Sequence, residues 1–347
     1  MTAKTAINAV ILCLIIDPPY GFILCLVRAG RRSPLTVFER ADLKNNALFM
    51  KMQVFLWYND HMKIITLVEN TVGPVGCPAE HGLSLYIETE RHKILMDTGA
   101  SDLLVRNAGQ LDVDLAAIDT VVISHGHYDH GGGLPTFMRA NRKAAIYIQL
   151  SATGNFYAVD GEDNPPRFIG LTDEVTGSDR ITWLSGSHRI DDELNILSNI
   201  GLAHPTPEDN NRLRVCTGLD ADDNVSEKNL LRDDFRHEQC LVINDSILLS
   251  GCAHHGILNV MDRFREAYGR DPDVVISGFH MMRKDGNYSE ADTEQIRRTA
   301  QALKTAKTIF YTGHCTGEKP YEIMHAVMGD QLRRIRCGDI LVDTAPE

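Results

Sequence analysis

Six residues, His125-Gly-His127-Tyr-Asp129-His130, put three imidazoles and a carboxylate on one short stretch, and Gly131, Gly132 and Gly133 follow it. Neutral imidazole and carboxylate are the donors that zinc and other borderline divalent ions prefer. The stretch comes directly after Thr120-Val-Val-Ile123, an apolar β-branched run that predicts a buried strand. The donors therefore sit where a strand ends and a loop begins. His125 and His127 alternate, so both can face one ion, while Asp129 and His130 are offset and can face a second. A solvated turn is the plainer reading of a His-rich segment, but it accounts for neither the H-x-H-x-D-H spacing nor the strand before it.

Four further segments repeat the pattern of a strand ending in a potential donor. Leu95-Met-Asp97-Thr-Gly99-Ala-Ser101 ends in Asp at a Gly turn. Ser250-Gly-Cys252-Ala-His254-His255-Gly256 ends an expected strand over 240–249, Ile276-Ser-Gly-Phe-His280 ends another, and Tyr311-Thr-Gly-His314-Cys-Thr-Gly317 a third. With the His cluster, this set resembles the metallo-β-lactamase fold superfamily. It is most similar to the branch named for 7,8-dihydropterin-6-methyl-4-(β-D-ribofuranosyl)aminobenzene-5′-phosphate synthase. The G-C-x-H, G-F-H and H-C-T-G segments carry the narrower resemblance, together with Glu80-His81-Gly82-Leu-Ser84, and it runs from Met62 to the C-terminus.

The resemblance implies an α/β (α+β) fold, an αββα sandwich whose two halves each supply strand ends to one metal cleft. Carried over by position, it implies His125 and His127 on a first ion, and Asp129, His130 and His314 on a second. His254 is the candidate to complete the set. Asp97 then serves from outside the ligand set, where a carboxylate fixes imidazole tautomers and raises ligand basicity. The implied cofactor is a pair of divalent ions, zinc first, with manganese or iron as alternatives. In one place the chain departs from the commoner pattern. Many hydrolases of the superfamily carry Gly-Asp at the strand end before the last His, and that Asp bridges both ions. Here the strand end reads Gly251-Cys252-Ala-His254. Either His254 takes the bridging place, or one ion is held tightly and the other weakly.

Asp129 and His280 are the catalytic candidates. Strand ends of such sheets line the cleft, so His280 is expected to serve substrate, with a core histidine as the plainer alternative. His81, Cys315, Thr316 and Gly317 join His280 as candidate substrate or anion contacts, because backbone N–H groups at a helix start bind anions. Cys252 could ligate as thiolate, but a buried structural thiol is the plainer reading, so it is expected beside the ligands. His255 points away from His254 if the chain there is extended. Glu238 is a candidate extra carboxylate. His188, His204, His237 and His325 are expected on surfaces or loops.

The elements that must position these groups are readable from periodicity. Opening strands are expected over 62–68, 84–89 and 93–96, a helix over 102–109, a strand over 118–123, a helix over 134–141 and a strand over 145–150. Over 151–236 Gly, Pro, Asp and Asn recur, which predicts an insertion forming a lid or substrate wall between the halves. Strand 240–249, helix 255–268, strand 273–277, helix 290–306, strand 308–311 and helix 318–328 complete the expected domain, 62–347. Residues 1–61 are expected to be an appended extension. Its apolar runs 6–16 and 22–27 are each too short to span a membrane; export or membrane association through 1–30 stays open beside a cytoplasmic location.

Thirty-five basic against 47 acidic residues give a formal net charge of -12 over 347 residues. Phosphate-backbone binding needs clustered Lys and Arg, so nucleic acid is a poor partner. Eight cysteines without C-x-x-C pairing fit free thiols in a reducing compartment better than a disulfide framework. The leading reading is a metal-dependent enzyme on a small phosphorylated substrate, hydrolase or synthase. The alternatives are a general metallohydrolase (a phosphodiesterase or lactonase) and a non-catalytic, metal-dependent ligand sensor. The oligomeric state is not readable from the residues.

Overall fold

Apolar residues along the strands of 62–150 alternate between two destinations. Ile64, Leu85, Ile87, Ile94, Met96 and Val122 enter one core, and Ile65, Tyr86, Leu95, Val121 and Ile123 enter another. Successive strand side chains point to opposite faces, so this sheet is buried on both sides. The second half repeats the device. Leu241, Ile243, Ile247, Leu249, Val274, Ile276 and Tyr311 share the first core, while Val242, Leu248, Val275 and Phe310 enter a third. Each fully buried Val, Leu or Ile contributes about 1.5–3 kcal/mol of burial free energy, so the register of both sheets is strongly specified.

The computed structural model describes residues 62–161, 164–218, 225 and 227–343, with the backbone of four earlier strands, Val10–Ile15, Ile23–Arg28, Thr36–Glu39 and Lys51–Met52. Those four form an antiparallel sheet within a unit, Met1–Asn59, that is separate from Asp60–Glu347. The expectation of an appended 1–61 otherwise lies outside the described residues.

In the larger unit two seven-stranded sheets pack face to face. The first runs Ile181–Leu184, Ala145–Gln149, Thr120–Val122, Lys93–Met96, Ser84–Glu88, Lys63–Val68 and Ile340–Asp343. The second runs His188–Arg189, Leu194–Leu197, Cys240–Ile243, Ile247–Leu249, Val274–Ile276, Ile309–Thr312 and Leu332–Arg334. Helices Leu103–Gln110 and Leu134–Ala140 cover the outer face of the first sheet, and Ile257–Tyr268, Glu290–Lys304 and Glu318–Met328 that of the second. This is the expected αββα layering. A capping box starts the Glu290–Lys304 helix, with Ser289 and Asp292 each bonded to the other's backbone N–H. Among the described residues no helix is long and apolar enough to cross a membrane.

Two expectations need correction. The run 240–249 is two strands joined as an antiparallel hairpin, because Asn244 and Asp245 both take left-handed φ of 53°, the backbone that a tight hairpin turn requires. The stretch 151–236 is also not continuous. Ile181–Leu184 closes one edge of the first sheet, and His188–Arg189 and Leu194–Leu197 open the second. What flanks that crossing is a separate four-stranded antiparallel sheet of Arg167–Phe168, Asn155–Ala158, Leu213–Cys216 and Leu230–Arg232.

Candidate metal centre

Strands Lys93–Met96, Thr120–Val122 and Ala145–Gln149 run parallel, as do Ile247–Leu249, Val274–Ile276 and Ile309–Thr312. Their carboxyl ends open on the same region, where ligands of such sheets bind. At four of these ends the chain turns through a left-handed residue: Asp97 (φ 60°), Ala253 (φ 54°), His280 (φ 47°) and His314 (φ 47°). Such a backbone is costly for a non-glycine residue and clusters at functional sites. The two halves meet closely. Gln239 N–H donates to the Ser124 carbonyl at 2.8 Å, and Gln149 Nε2 to Gln239 Oε1 at 2.7 Å. Gly251 is required at this contact, because a Cβ there would stand 2.1 Å from Ser124 Oγ.

The predicted ligands fall into two sets. His125, His127 and His254 bring ligand atoms within 4.8 Å of one another. In the second set His130 Nε2 lies 3.1 Å from His314 Nε2, and Asp129 Oδ2 lies 3.4 Å from His314 Nε2 and 3.7 Å from His130 Nε2. Across the first set His125 Nε2 and His254 Nε2 are 3.3 Å apart. Two ligand atoms on one tetrahedral zinc are separated by about 3.3 Å, given Zn–N bonds of about 2.0–2.1 Å. The donor types and their spacing therefore fit divalent ions.

For four of the candidate ligands the outward nitrogen is held by a neighbour, the arrangement usual for metal-binding imidazoles. His130 Nδ1 lies 2.6 Å from Asp97 Oδ2, whose carboxylate also accepts from Ser124 N–H at 2.6 Å and Ser124 Oγ at 2.7 Å. His125 Nδ1 lies 2.9 Å from Ser124 Oγ, His254 Nδ1 2.9 Å from Asn210 Oδ1, and His314 Nδ1 2.9 Å from Asn70 Oδ1. Glu69 accepts the His314 N–H at 2.5 Å, and Phe235 stacks on His254 with ring centroids 4.4 Å apart.

Electrostatics divide the imidazoles. Burial, reinforced by neighbouring imidazoles, pushes His125 and His254 well below the ordinary histidine value, and His127 shifts down mainly by burial. Their lone pairs are thus available at neutral pH. Burial also pulls His130 down, but Asp97 and Asp129 outweigh it and hold this imidazole up to about 9. Burial raises Asp129, yet His130, His314 and His81 keep its carboxylate well below the usual range.

The remaining candidates are distributed unevenly. His81 is half exposed, with Nε2 3.3 Å from Asp129, and joins Asp129 and His314 in a further donor trio. His280 is buried to 8 % exposure, and neither of its ring nitrogens has a hydrogen-bond partner. Cys252 Sγ lies 3.1 Å from His130 Nε2, inside the cluster rather than behind it. Cys315 lines the cleft and its Sγ accepts the His280 N–H at 3.3 Å. Thr316 and Gly317 do not reach the cleft. The Thr316 hydroxyl is fully buried, accepts from Phe279 N–H at 2.9 Å and lies 2.5 Å from Thr312 Oγ1, while Gly317 packs against Met282. Glu238 faces backbone, accepting the N–H groups of His254 at 2.6 Å and His255 at 3.0 Å, and lies 2.7 Å from His255 Nδ1.

His237, expected on a loop surface, is instead 1 % exposed. Its Nδ1 accepts the Gly126 N–H at 3.0 Å, and its Nε2 lies 3.1 Å from Asp233. Asp233 Oδ2 is also 3.8 Å from His127 Nε2, beyond hydrogen-bond length but close enough to act on its charge. Burial raises this carboxyl, but His237 and His127 outweigh it and hold it far below the usual range. His204 and His325 are at the surface, and His188 is partly covered. Sequence reasoning missed Ser124, Asn70, Asn210 and Asp233. Ser124 alone carried a signal, as a polar residue between an apolar strand and His125.

Comparison with known proteins follows the same outline. Residues 78–201 match the model of the metallo-β-lactamase superfamily. The 7,8-dihydropterin-6-methyl-4-(β-D-ribofuranosyl)-aminobenzene-5′-phosphate synthase of Methanocaldococcus jannaschii is 29% identical over 299 residues, 81% of this chain and 97% of that protein. An uncharacterized protein of the same organism is 24% identical over 245 residues, 70% of this chain and 86% of that protein. A solved metal-dependent hydrolase of the β-lactamase superfamily superposes with a TM-score of 0.65 at 24% identity, over 82% of this chain and 100% of that one.

Proposed function

We propose that this chain, whose residues 78–201 match the metallo-β-lactamase superfamily, is a metal-dependent enzyme of that superfamily acting on a small phosphorylated substrate, as the name of the M. jannaschii synthase describes for that protein. The observation that carries this reading is the pairing of two donor sets, His125/His127/His254 and Asp129/His130/His314, at one cleft. Bound there, a divalent ion supplies Lewis acidity and, at an open position, activates water. The chain's own groups set the stage for that chemistry. Asp97, Ser124, Asn210 and Asn70 fix the orientation of four imidazoles, so that little rearrangement is needed when substrate arrives. His280, buried and unpartnered at the cleft, can hydrogen-bond a bound substrate. Asp129, itself in the second donor set, also lies 3.3 Å from His81 Nε2, so this pair can hold or pass a proton.

Gly251-Cys252-Ala-His254 in place of the bridging Gly-Asp supports the branch-specific reading over a general phosphodiesterase or lactonase. The test is to offer the metal-loaded protein a ribofuranosylaminobenzene 5′-phosphate with an activated methyl-dihydropterin and to look for the joined mass. Phosphodiesters and lactones are screened in parallel. A joined product is expected. Turnover of phosphodiesters or lactones alone would replace the reading with a hydrolase, and metal retention without any turnover would replace it with a sensor.

A further inference from the structure

The Thr316 hydroxyl is buried against Phe279 N–H and Thr312 Oγ1, and another wall of the cleft offers cations to an anionic substrate. That wall is built by the small four-stranded sheet and the loop after His280. Arg167 and Arg212 line the cleft beside Asp209, His254 and His280. Arg212 Nη1 reaches Asp160 at 3.0 Å, Lys284 Nζ reaches the same carboxylate at 2.8 Å, and Arg167 Nε at 3.5 Å. Arg212 Nε also holds Asp209 at 2.7 Å, and Asp209 Oδ2 lies 3.8 Å from His280 Nε2. Three cations from three separate segments thus converge on Asp160, and among the described residues only Asp160 and Asp209 offset them in this network. On a chain with a net charge of -12 this gathers three cations at one wall of a cleft that also holds Asp129, and clefts concentrate the fields of the charges that line them.

The three cations are not equally committed. Arg212 is pinned between two carboxylates. Arg167 is half exposed and meets Asp160 beyond the length of a tight charge-assisted bond, about 2.7–2.9 Å. Lys284 is mostly exposed with a single carboxylate partner shown. Arg167 and Lys284 therefore keep N–H donors for a ligand, and a guanidinium fork matches phosphate oxygens. Beside them His280 presents buried ring nitrogens that no protein group satisfies, and leaving such groups unpaired is costly. A substrate oxygen would satisfy one of them.

We propose that Arg167, Arg212 and Lys284 form the binding site for the phosphate monoester of the substrate, and that Arg167 and Lys284 set the preference for phosphorylated over unphosphorylated substrate. This rests on the reading that the substrate is phosphorylated, and the experiment separates the two. Phenyl phosphate and its uncharged counterpart phenol are titrated calorimetrically into metal-loaded full-length protein, with metal content measured on every sample. Wild type is expected to bind phenyl phosphate and to ignore phenol. Arg167→Gln and Lys284→Gln, both at exposed positions, are expected to weaken phenyl phosphate binding about tenfold or more with metal content unchanged, and Arg167→Lys to recover part of the loss. Wild-type binding that survives in both Gln variants would overturn the assignment of the site while leaving the phosphorylated substrate intact. Failure of wild type itself to bind phenyl phosphate would overturn both.

Discussion

The two halves of the cleft solve the same problem differently. The first half delivers His125, His127, Asp129 and His130 from one loop, a single contiguous run braced from behind by Asp97 and Ser124. The second half delivers His254, His280 and His314 singly, from three strand ends that are far apart in sequence. Its candidate ligands are steadied by residues from elsewhere: Asn210 for His254, Asn70 and Glu69 for His314. One half depends on local geometry and the other on the packing of a whole sheet. Losses confined to a side chain should therefore look alike in both halves, whereas losses of packing should be transmitted through the point where the halves touch.

The largest effects are expected from the contiguous half. His127→Ala and Asp129→Ala each remove one donor from a different set, and elemental analysis after dialysis should find metal well below wild type in both. Near wild-type content in the pair would break the comparison at its root. Asp97→Asn leaves every ligand in place but weakens the brace on His130 and Ser124. Outer partners of this kind contribute about 10–100-fold in metal affinity, and a chelator titration should return a loss in that range. Gly251→Ala tests the contact between the halves. The added methyl would collide with Ser124 Oγ, and overpacking of this sort costs about 1–3 kcal/mol. Thermal unfolding should move down and metal affinity should fall with it; an unchanged melting temperature would show that the halves are less tightly joined than the contact implies. The smallest effect is expected from Asp233→Asn, which weakens the hold on His127 and His237. A several-fold change in metal affinity is expected there, in line with about 1 kcal/mol for one hydrogen bond, and a complete loss of metal would place Asp233 among the ligands.

The same contrast explains what could be read in advance. The strand before His125 and its alternating burial follow from Thr120-Val-Val-Ile123 alone, because period two is a local property. The layering follows from the same alternation in both halves. His254 and His314 were legible only through resemblance, since nothing local distinguishes them from His237, which was expected on a surface and is instead buried against Gly126 and Asp233. Asn70 and Asn210 carried no signal, because a single amide gains meaning only when the fold brings it to an imidazole. The hairpin at Asn244-Asp245 was hidden by the apolar run on both sides. The small sheet of 155–232 was hidden by its turn-rich composition, and so was the Arg167, Arg212 and Lys284 wall, whose members meet only across a folded carboxylate.

The proposed metal centre takes ligands from both halves and none from His280, although Cys252, His254 and His280 also bring ligand atoms within 4.8 Å of one another. A competition titration with a chromophoric chelator on His254→Ala, His314→Ala and His280→Ala, beside wild type, tests it most directly. His254→Ala and His314→Ala should lose metal at micromolar concentrations, and His280→Ala should keep it. If His280→Ala loses metal while His254→Ala retains it, the two roles are exchanged and the account of the Gly251-Cys252-Ala-His254 strand end is wrong.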